Sequence, residues 1–396
     1  MRSNYKALGK YIQVVDERNS ALEDLPLMGL SVSKVFFPTI ANLVGTDMST
    51  YKIVYKNQFT YIADTSRRGD KIAIALNESF DKMLVSQAYT PFEVKVTNEL
   101  DPEYLMMWFR RPEFDRYARF KSHGSAREIF DWTEMCNTLL PIPSITKQRE
   151  IVKEYNTVVN RIKLNQQLIQ KLEETAQAIY KQWFVDFEFP DKNGQLYKSN
   201  GGEMEFNEEL EQEIPKGWKV LNLSLVCDVI NGRAYAEDEF KPNGTPIIRI
   251  QNLNGGNKYV YSDLKLVKDK YVIKGDLIFA WSATFGPFIW RGTKSIYHYH
   301  IWKLNCKNEN YKFLLYHYLL RETRRVSGEG SGSIFAHITK SLIESQKLIV
   351  GSEAIIKDFH KISLKLDKAI ETNFFEFEAL NKFKDLLLSK LATIEN

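Results

Sequence analysis

KQREIVKEYNTVVNRIKLNQQLIQKLEETAQAIYKQWFVDF, residues 147–187, decides the fold. Stepping alternately by four and three residues from Ile151 meets Tyr155, Val158, Ile162, Asn165, Ile169, Leu172, Ala176, Ile179 and Trp183. Nine of these ten residues are apolar, and Lys, Glu, Gln and Arg fill the positions between them. No Gly or Pro interrupts the run before Pro190. The spacing is that of an a/d seam and predicts one long helix, residues 147–188, of about 60 Å at 1.5 Å per residue. Asn165 is the single polar step, a residue type that fixes register at some cost in stability.

Adding 208 to each number produces a second seam: Phe359, Ser363, Leu366, Ile370, Asn373, Phe377, Leu380, Lys384, Leu387, Leu391 and, one step on, Ile394. Eight of these eleven are apolar, and Asn again occupies the fifth step. Two seams with a polar residue at the same place predict a helix pair within the chain, parallel or antiparallel. The second helix is expected over residues 351–396.

At 396 residues the chain exceeds one core and implies two to three domains. Its 44% hydrophobic and 26% charged content is that of a globular protein. A net charge of +4 hints only weakly at a polyanionic partner. Cys136, Cys227 and Cys306 are odd in number and far apart, which fits a reducing compartment rather than a disulfide framework. The N-terminal run lacks an apolar signal core, and no window has the apolar length of a membrane span, so a soluble, cytoplasmic protein with no membrane partner is expected.

Ahead of the first helix, Lys52–Tyr55, Phe59–Ala63, Lys71–Leu76 and Phe92–Val96 are rich in β-branched and aromatic residues and read as short strands. Asp64–Asp70 is a polar turn. Asp101 can cap a helix with Pro102 at its first position, Tyr104, Leu105, Trp108 and Phe109 forming its apolar stripe. Pro112 ends or bends that helix, and Phe114, Tyr117 and Phe120 continue an aromatic face before a basic loop, Lys121–Arg127. Residues 189–214 carry Gly pairs and six glutamates between 203 and 213, which predicts a solvated linker with little core.

Beyond the linker the first half repeats. Val54–Ile62 matches Val272–Ala280, Tyr104–Phe109 matches Phe313–Tyr318, and Gly124-Ser125 with Ile129-Phe130 matches Gly330-Ser331 with Ile334-Phe335. Leu140–Ile142 matches Leu348–Val350, just ahead of the second long helix. The fold class is therefore mixed α/β, a tandem duplication of a globule followed by a long helix. The expected boundaries are 1–146, 147–188, 189–214, 215–350 and 351–396.

No G-x-x-x-x-G-K-[ST] loop and no strand-borne G-x-G-x-x-G occurs. Asp101-Pro-Glu-Tyr104 stands without a glycine-rich cofactor loop and reads as a helix start; Pro190-Asp191 reads as linker. If their segment is a strand, His298 and His300 share one face of it, but they lack a neighbouring Cys or acidic cluster, so no metal site is expected. No catalytic residues are assigned. What remains are basic and amide residues in polar loops: Arg67, Arg68, Lys121, Ser125 and Arg127 in the first globule. In the second they are Arg249, Gln251, Asn252, Asn254, Arg291, Lys294, Arg324, Arg325, Ser331 and Ser333. Arg, Asn and Gln suit bidentate bonds to purine edges, and Lys and Ser suit phosphates, so these are the candidate nucleic-acid-binding residues. Each taken singly is ordinary surface charge; as a set at matching sites of both repeats they favour nucleic acid.

Four stretches carry a resemblance over the whole chain: LPIPSITKQREI at 140–151, LEETAQAIYKQWFVDF at 172–187, EIPKGW at 213–218 and GDLI at 275–278. The chain resembles the specificity subunit of type I restriction–modification systems. The resemblance implies two target-recognition domains, each reading one half of a bipartite site in double-stranded DNA, spaced by antiparallel helices. It implies methyltransferase subunits docked on the helices and motor–nuclease subunits joining them. S-adenosylmethionine, ATP and magnesium would belong to those partners, with no cofactor on this chain. The chain departs from the family pattern in having no Ile-Pro-x-Gly-Trp opening near residue 1, which implies a shortened first domain or a wrongly assigned start codon. Two other readings of the residues stay open, a single-chain DNA methyltransferase or nuclease and a coiled-coil scaffold without a DNA role.

Overall fold

The computed structural model describes residues 5–39, 45–65, 69, 71–124, 128–282, 284–328 and 339–394. It forms two compact units, Met1–Asn165 with Glu376–Asn396, and Gln166–Phe375. Each unit holds one globule and parts of both long helices, and the division falls inside the helices rather than at their ends.

The two globules share one framework. In the first, strands Ile12–Val14, Thr90–Val94, Phe59–Ile62 and Ala73–Leu76 form an antiparallel sheet in that order. In the second, Cys227–Asn231, Ile301–Cys306, Leu277–Ala280 and Gly286–Ile289 do the same. The strand before each central strand pairs antiparallel with a later one, Lys52–Tyr55 with Lys82–Val85 and Tyr271–Val272 with Ser295–Tyr297. The tight turn between those first strands and the sheet is left-handed at the same place in each copy, Asn57 at φ 66° and Gly275 at φ 90°. Such backbone is cheap only for Gly and tolerable for Asn. A two-stranded ribbon closes each globule, Tyr5–Ala7 with Leu139–Pro141 and Lys219–Asn222 with Lys347–Val350. The match of Val54–Ile62 with Val272–Ala280 is thus a match of whole strands.

Helix Pro102–Phe109 begins as its sequence dictates. The Asp101 carboxylate accepts from the Glu103 and Tyr104 amides at 2.9 and 3.2 Å, and Pro102 occupies the first turn. Tyr104 to Phe109 are all buried. A second helix, Pro112–Phe120, follows at once and buries Phe114, but Phe120 is 81% exposed and does not extend the apolar face.

The long helices run Ile145–Phe184 and Glu353–Lys390, the last seam steps Leu391 and Ile394 lying in the turn beyond. None of the residues met by stepping from Ile151 or Phe359 is in the exposed class, whereas Leu164, Leu168, Phe383 and Leu386, off the seam, are exposed. In the first unit Val152 and Tyr155 pack with Leu388 and Leu391 around Leu8, Tyr104 and Phe109. In the second unit Tyr180, Trp183 and Phe184 pack with Ile356 and Phe359 around Trp218 and Leu314. The beginning of each helix thus meets the end of the other, which makes the pair antiparallel. The rings of Phe184 and Phe359 meet edge to face at 4.9 Å, and each such side chain contributes about 1.5–3 kcal/mol on full burial.

The polar seam positions have their own partners. Asn165 is buried, its amide nitrogen lacks a well-formed hydrogen bond, and beside it Arg161 forks Glu376 at 2.7 and 3.2 Å. Asn373 donates at 2.8 Å to the Ala369 carbonyl of its own helix. Gln148, at the helix entrance, is fully buried, donates to the Glu99 and Pro143 carbonyls and accepts from the Asp101 amide. It ties the long helix to the cap of Pro102–Phe109, which accounts for a glutamine in the entrance run.

Residues 189–214 are less open than their composition predicts. Met204–Asn207 and Gln212–Pro215 pair as a hairpin. Phe187, Phe189 and Ile214 are buried against Trp218, and the Phe189 ring lies 4.9 Å from the indole. The glutamates face solvent, but apolar residues at both ends of the segment, Phe189 and Ile214, anchor it to the second core. That is the correction to the solvated linker: apolar anchoring at two points outweighs the one-sign charge between them.

Candidate nucleic-acid interface

Four turns of the second globule meet at the strand ends. The first leaves strand Cys227–Asn231 through Gly232, where a Cβ would collide with the His298 carbonyl. The amide of Arg233 then donates to the Tyr297 carbonyl at 3.1 Å. The second, Arg249–Gly256, follows strand Thr245–Ile248. The third is Trp281–Phe285, after Leu277–Ala280, and the fourth His298–His300, after Ser295–Tyr297. Backbone bonds stitch them together: His298 N to Ile248 O at 2.9 Å and Trp281 N to His300 O at 3.1 Å. Side chains add more, Trp281 Nε1 to Tyr299 O and Asn254 Nδ2 to Thr284 Oγ1, both at 2.8 Å.

The surface so made is aromatic and basic. Trp281 stacks on Trp302 at 5.7 Å and meets His300 edge on at 5.2 Å; the His298 and His300 rings are 4.9 Å apart. Tyr299 is 41% exposed. Burial first, then His300 and Arg249, holds the His298 imidazole below its ordinary range. The Arg249 Nε is buried without a hydrogen-bond partner in the protein. Aromatic faces beside Arg, Asn and His donors are the chemistry that stacks on bases and bonds to phosphates or base edges. The two histidines lie in a turn, not along one face of a strand.

Of the candidates expected from sequence, Arg249, Gln251, Asn252 and Asn254 come together here. Asn252 is a correction. It is buried, its oxygen accepts from the Arg249 amide, and its nitrogen donates to the Gly256 and Lys258 carbonyls at 3.1 and 3.0 Å. Its polar atoms are spent closing the turn, so it shapes the turn and presents Arg249. Arg291 is a second correction: its guanidinium donates to Asp367 at 2.6 Å and packs on the C-terminal helix, away from the turns. Arg324 bonds to Gln177 of the central helix, Arg325 to Glu322 at 3.0 Å, and Lys294 lies 4.3 Å from the centre of the Tyr271 ring. In the first globule Lys121 ends helix Pro112–Phe120 and pairs with Glu134 at 3.5 Å. Arg67, Arg68, Ser125, Arg127, Ser331 and Ser333 lie outside the described residues.

Trp281, Thr284, His298, Tyr299 and His300 were not among the expected DNA-binding residues, and Arg233 beside them is spent on the Glu239 carboxylate, to which it donates at 2.9 and 2.5 Å. The aromatic and histidine run Tyr297-His-Tyr-His300, next to a strand, is the signal in the sequence that marks them.

A duplicated α/β globule alternating with long antiparallel helices, one globule bearing a basic and aromatic loop surface, defines a bipartite recognition protein. The family model described as the type I restriction modification DNA specificity domain matches twice, at residues 33–174 and 215–378. The chain belongs to that family. It is similar to the type I restriction enzyme MjaIX specificity subunit of Methanocaldococcus jannaschii, 26% identical over 73% of this chain and 68% of that protein. It is also similar to the EcoBI specificity subunit of Escherichia coli, 23% identical over 34% of this chain and 29% of that protein. The crystal structure of a type I restriction–modification S subunit from M. genitalium shares the fold, with a TM-score of 0.55 at 13% identity, covering 99% of this chain and 96% of that one. Among the described residues no helix is long and apolar enough to cross a membrane.

Proposed function

We propose that this chain is the non-catalytic DNA-recognition subunit of a type I restriction–modification complex, each globule reading one half of a bipartite site in double-stranded DNA. The observation that carries the reading is the double family match, each copy spanning most of a globule and part of the helix after it. The Trp281–His300 turns with Arg249 are the reading surface of the second globule. The paired helices set the unread spacer and receive methyltransferase subunits, with motor–nuclease subunits joining them in the cytoplasm. S-adenosylmethionine, ATP and magnesium act on those partners. The single-chain enzyme is disfavoured by the absence from the sequence of a strand-borne glycine-rich cofactor loop, and the bare scaffold by the second globule's loop surface.

The test is to express the chain with its methyltransferase partner and to map modified bases in host DNA. A two-part motif with a fixed gap is expected, and the purified chain alone transfers no methyl group. Methyl transfer by the isolated chain at ordinary enzyme rates, or a motif without two parts, refutes the reading.

A further inference from the structure

The second globule grips its own helix by charge. Arg291, just past strand Gly286–Ile289, donates to Asp367 at 2.6 Å, and its other terminal nitrogen stands 3.9 Å from Glu371. Lys274, in the turn before strand Leu277–Ala280, pairs with Glu371 at 3.0 Å, and its ammonium lies 4.8 Å from the centre of the Phe375 ring. Asp367, Glu371 and Phe375 are spaced by four, so they form one stripe on the helix. The Arg291 and Asp367 side chains are only 15% and 16% exposed, so water screens this pair far less than a surface one. Glu173 of the central helix lines the same small cavity as Arg291, and Arg291, then Arg324 of helix Lys312–Gly328, act on its carboxyl.

The repeat shows that this grip is not part of the shared framework. Strand register pairs Phe59 with Leu76 and Leu277 with Ile289, so Glu78 is the counterpart of Arg291. Glu78 pairs within its own globule, with Arg110 at 3.4 Å. The 208-residue shift makes Val159, Lys163 and Gln167 the counterparts of Asp367, Glu371 and Phe375. The charge is reversed at the counterparts of Arg291 and Glu371 and lost at that of Asp367, whereas Lys56, the counterpart of Lys274, keeps its charge.

We propose that Arg291 and Lys274 are positioning residues, which through Asp367 and Glu371 fix the seat of the second globule on the C-terminal helix, and so the distance of its half-site from the other. The proposal rests on the globule being a half-site reader. A half-buried ion pair has one good geometry, and losing one partner leaves the other charge desolvated and unpaired, so the seat is held at a single angle.

The test uses the full chain with its methyltransferase partner and reads both half-sites and the gap between them from modified DNA. Arg291→Glu is expected to lower modification at least tenfold or to spread it to gaps one base pair shorter or longer, with both half-site sequences intact. Combining Arg291→Glu with Asp367→Arg is expected to restore the single gap and most of the lost modification. An unchanged gap and level in Arg291→Glu overturns the clasp, and a changed base preference in the second half-site makes Arg291 a reader instead. Where the single variant does not fold, failure of the paired variant to recover overturns the proposal equally. Absence of a two-part motif with the wild-type chain fails the underlying reading alone. Amide exchange over residues 353–375 still tests the clasp then, with faster exchange expected in Arg291→Glu and recovery in the paired variant; unchanged exchange overturns it.

Discussion

The buried His317 makes the second unit sensitive to mild acid. It sits in helix Lys312–Gly328, 5% exposed, with its ring 5.7 Å from that of Tyr180 and nearly parallel to it, and 6.2 Å from Phe359. Its Nδ1 finds no hydrogen-bond partner in the protein. Burial, with a smaller push from Arg324, lowers the imidazole from 6.5 to about 4. The folded state therefore holds His317 neutral where the unfolded chain has already taken up a proton. Between those two values the unfolded state binds more protons, so stability rises with pH and is lost as pH falls from about 6.5 toward 4. Between pH 7.5 and pH 5 the loss from this one group is about 2 kcal/mol. His317→Phe preserves the ring and removes the proton site. The assay is denaturant unfolding of both proteins across pH 5–7.5, followed by tryptophan fluorescence, since Trp183 and Trp218 belong to the same core. Carboxylates and the other histidines titrate in both proteins, so the difference between the two curves isolates His317. The wild type should lose about 2 kcal/mol more than His317→Phe on going to pH 5. Parallel curves refute the reasoning and mean that His317 is hydrated or paired in the folded state.

Arg249→Ala should weaken recognition of one half-site by about 1–3 kcal/mol in binding assays with altered half-sites, whereas uniform weakening with a shallower salt dependence marks a phosphate contact. Asn252→Ala should instead lower the melting temperature of the second unit, because it opens a turn closed by three hydrogen bonds. Inserting four helix-forming residues near Gln170, with a matching insertion near Glu378, lengthens the helices by about 6 Å at 1.5 Å per residue. At roughly 3.4 Å per base pair the gap in the modified motif should grow by about one to two base pairs with the half-sites unchanged, and an unchanged gap with altered half-sites would exchange the roles of helices and globules.

The heptad steps from Ile151 and Phe359 were legible in the sequence because a long helix pair is a one-dimensional object. Its buried stripe follows from spacing alone, and none of the stepped residues is exposed. The Asp101-Pro102 cap and the strand match around Phe59 and Leu277 were legible for the same reason, since local backbone preference and burial coincide there. Direction was not: whether the helices run parallel or antiparallel depends on which ends share a core, and only Tyr155 with Leu388, and Trp183 with Phe359, decide it. The same limit separates the candidate residues. Arg249 and Arg291 are alike in a sequence, polar residues flanking strands. The fold turns one toward the Trp281–His300 turns and lays the other against Asp367. Asn252 is spent inside its turn for a reason no periodicity records, the distance from its amide to two carbonyls downstream. Chain-local physics determined the elements and their repetition. Which charges face outward and which are neutralised between elements is a long-range property, decided only when the tertiary structure sets the partners within reach.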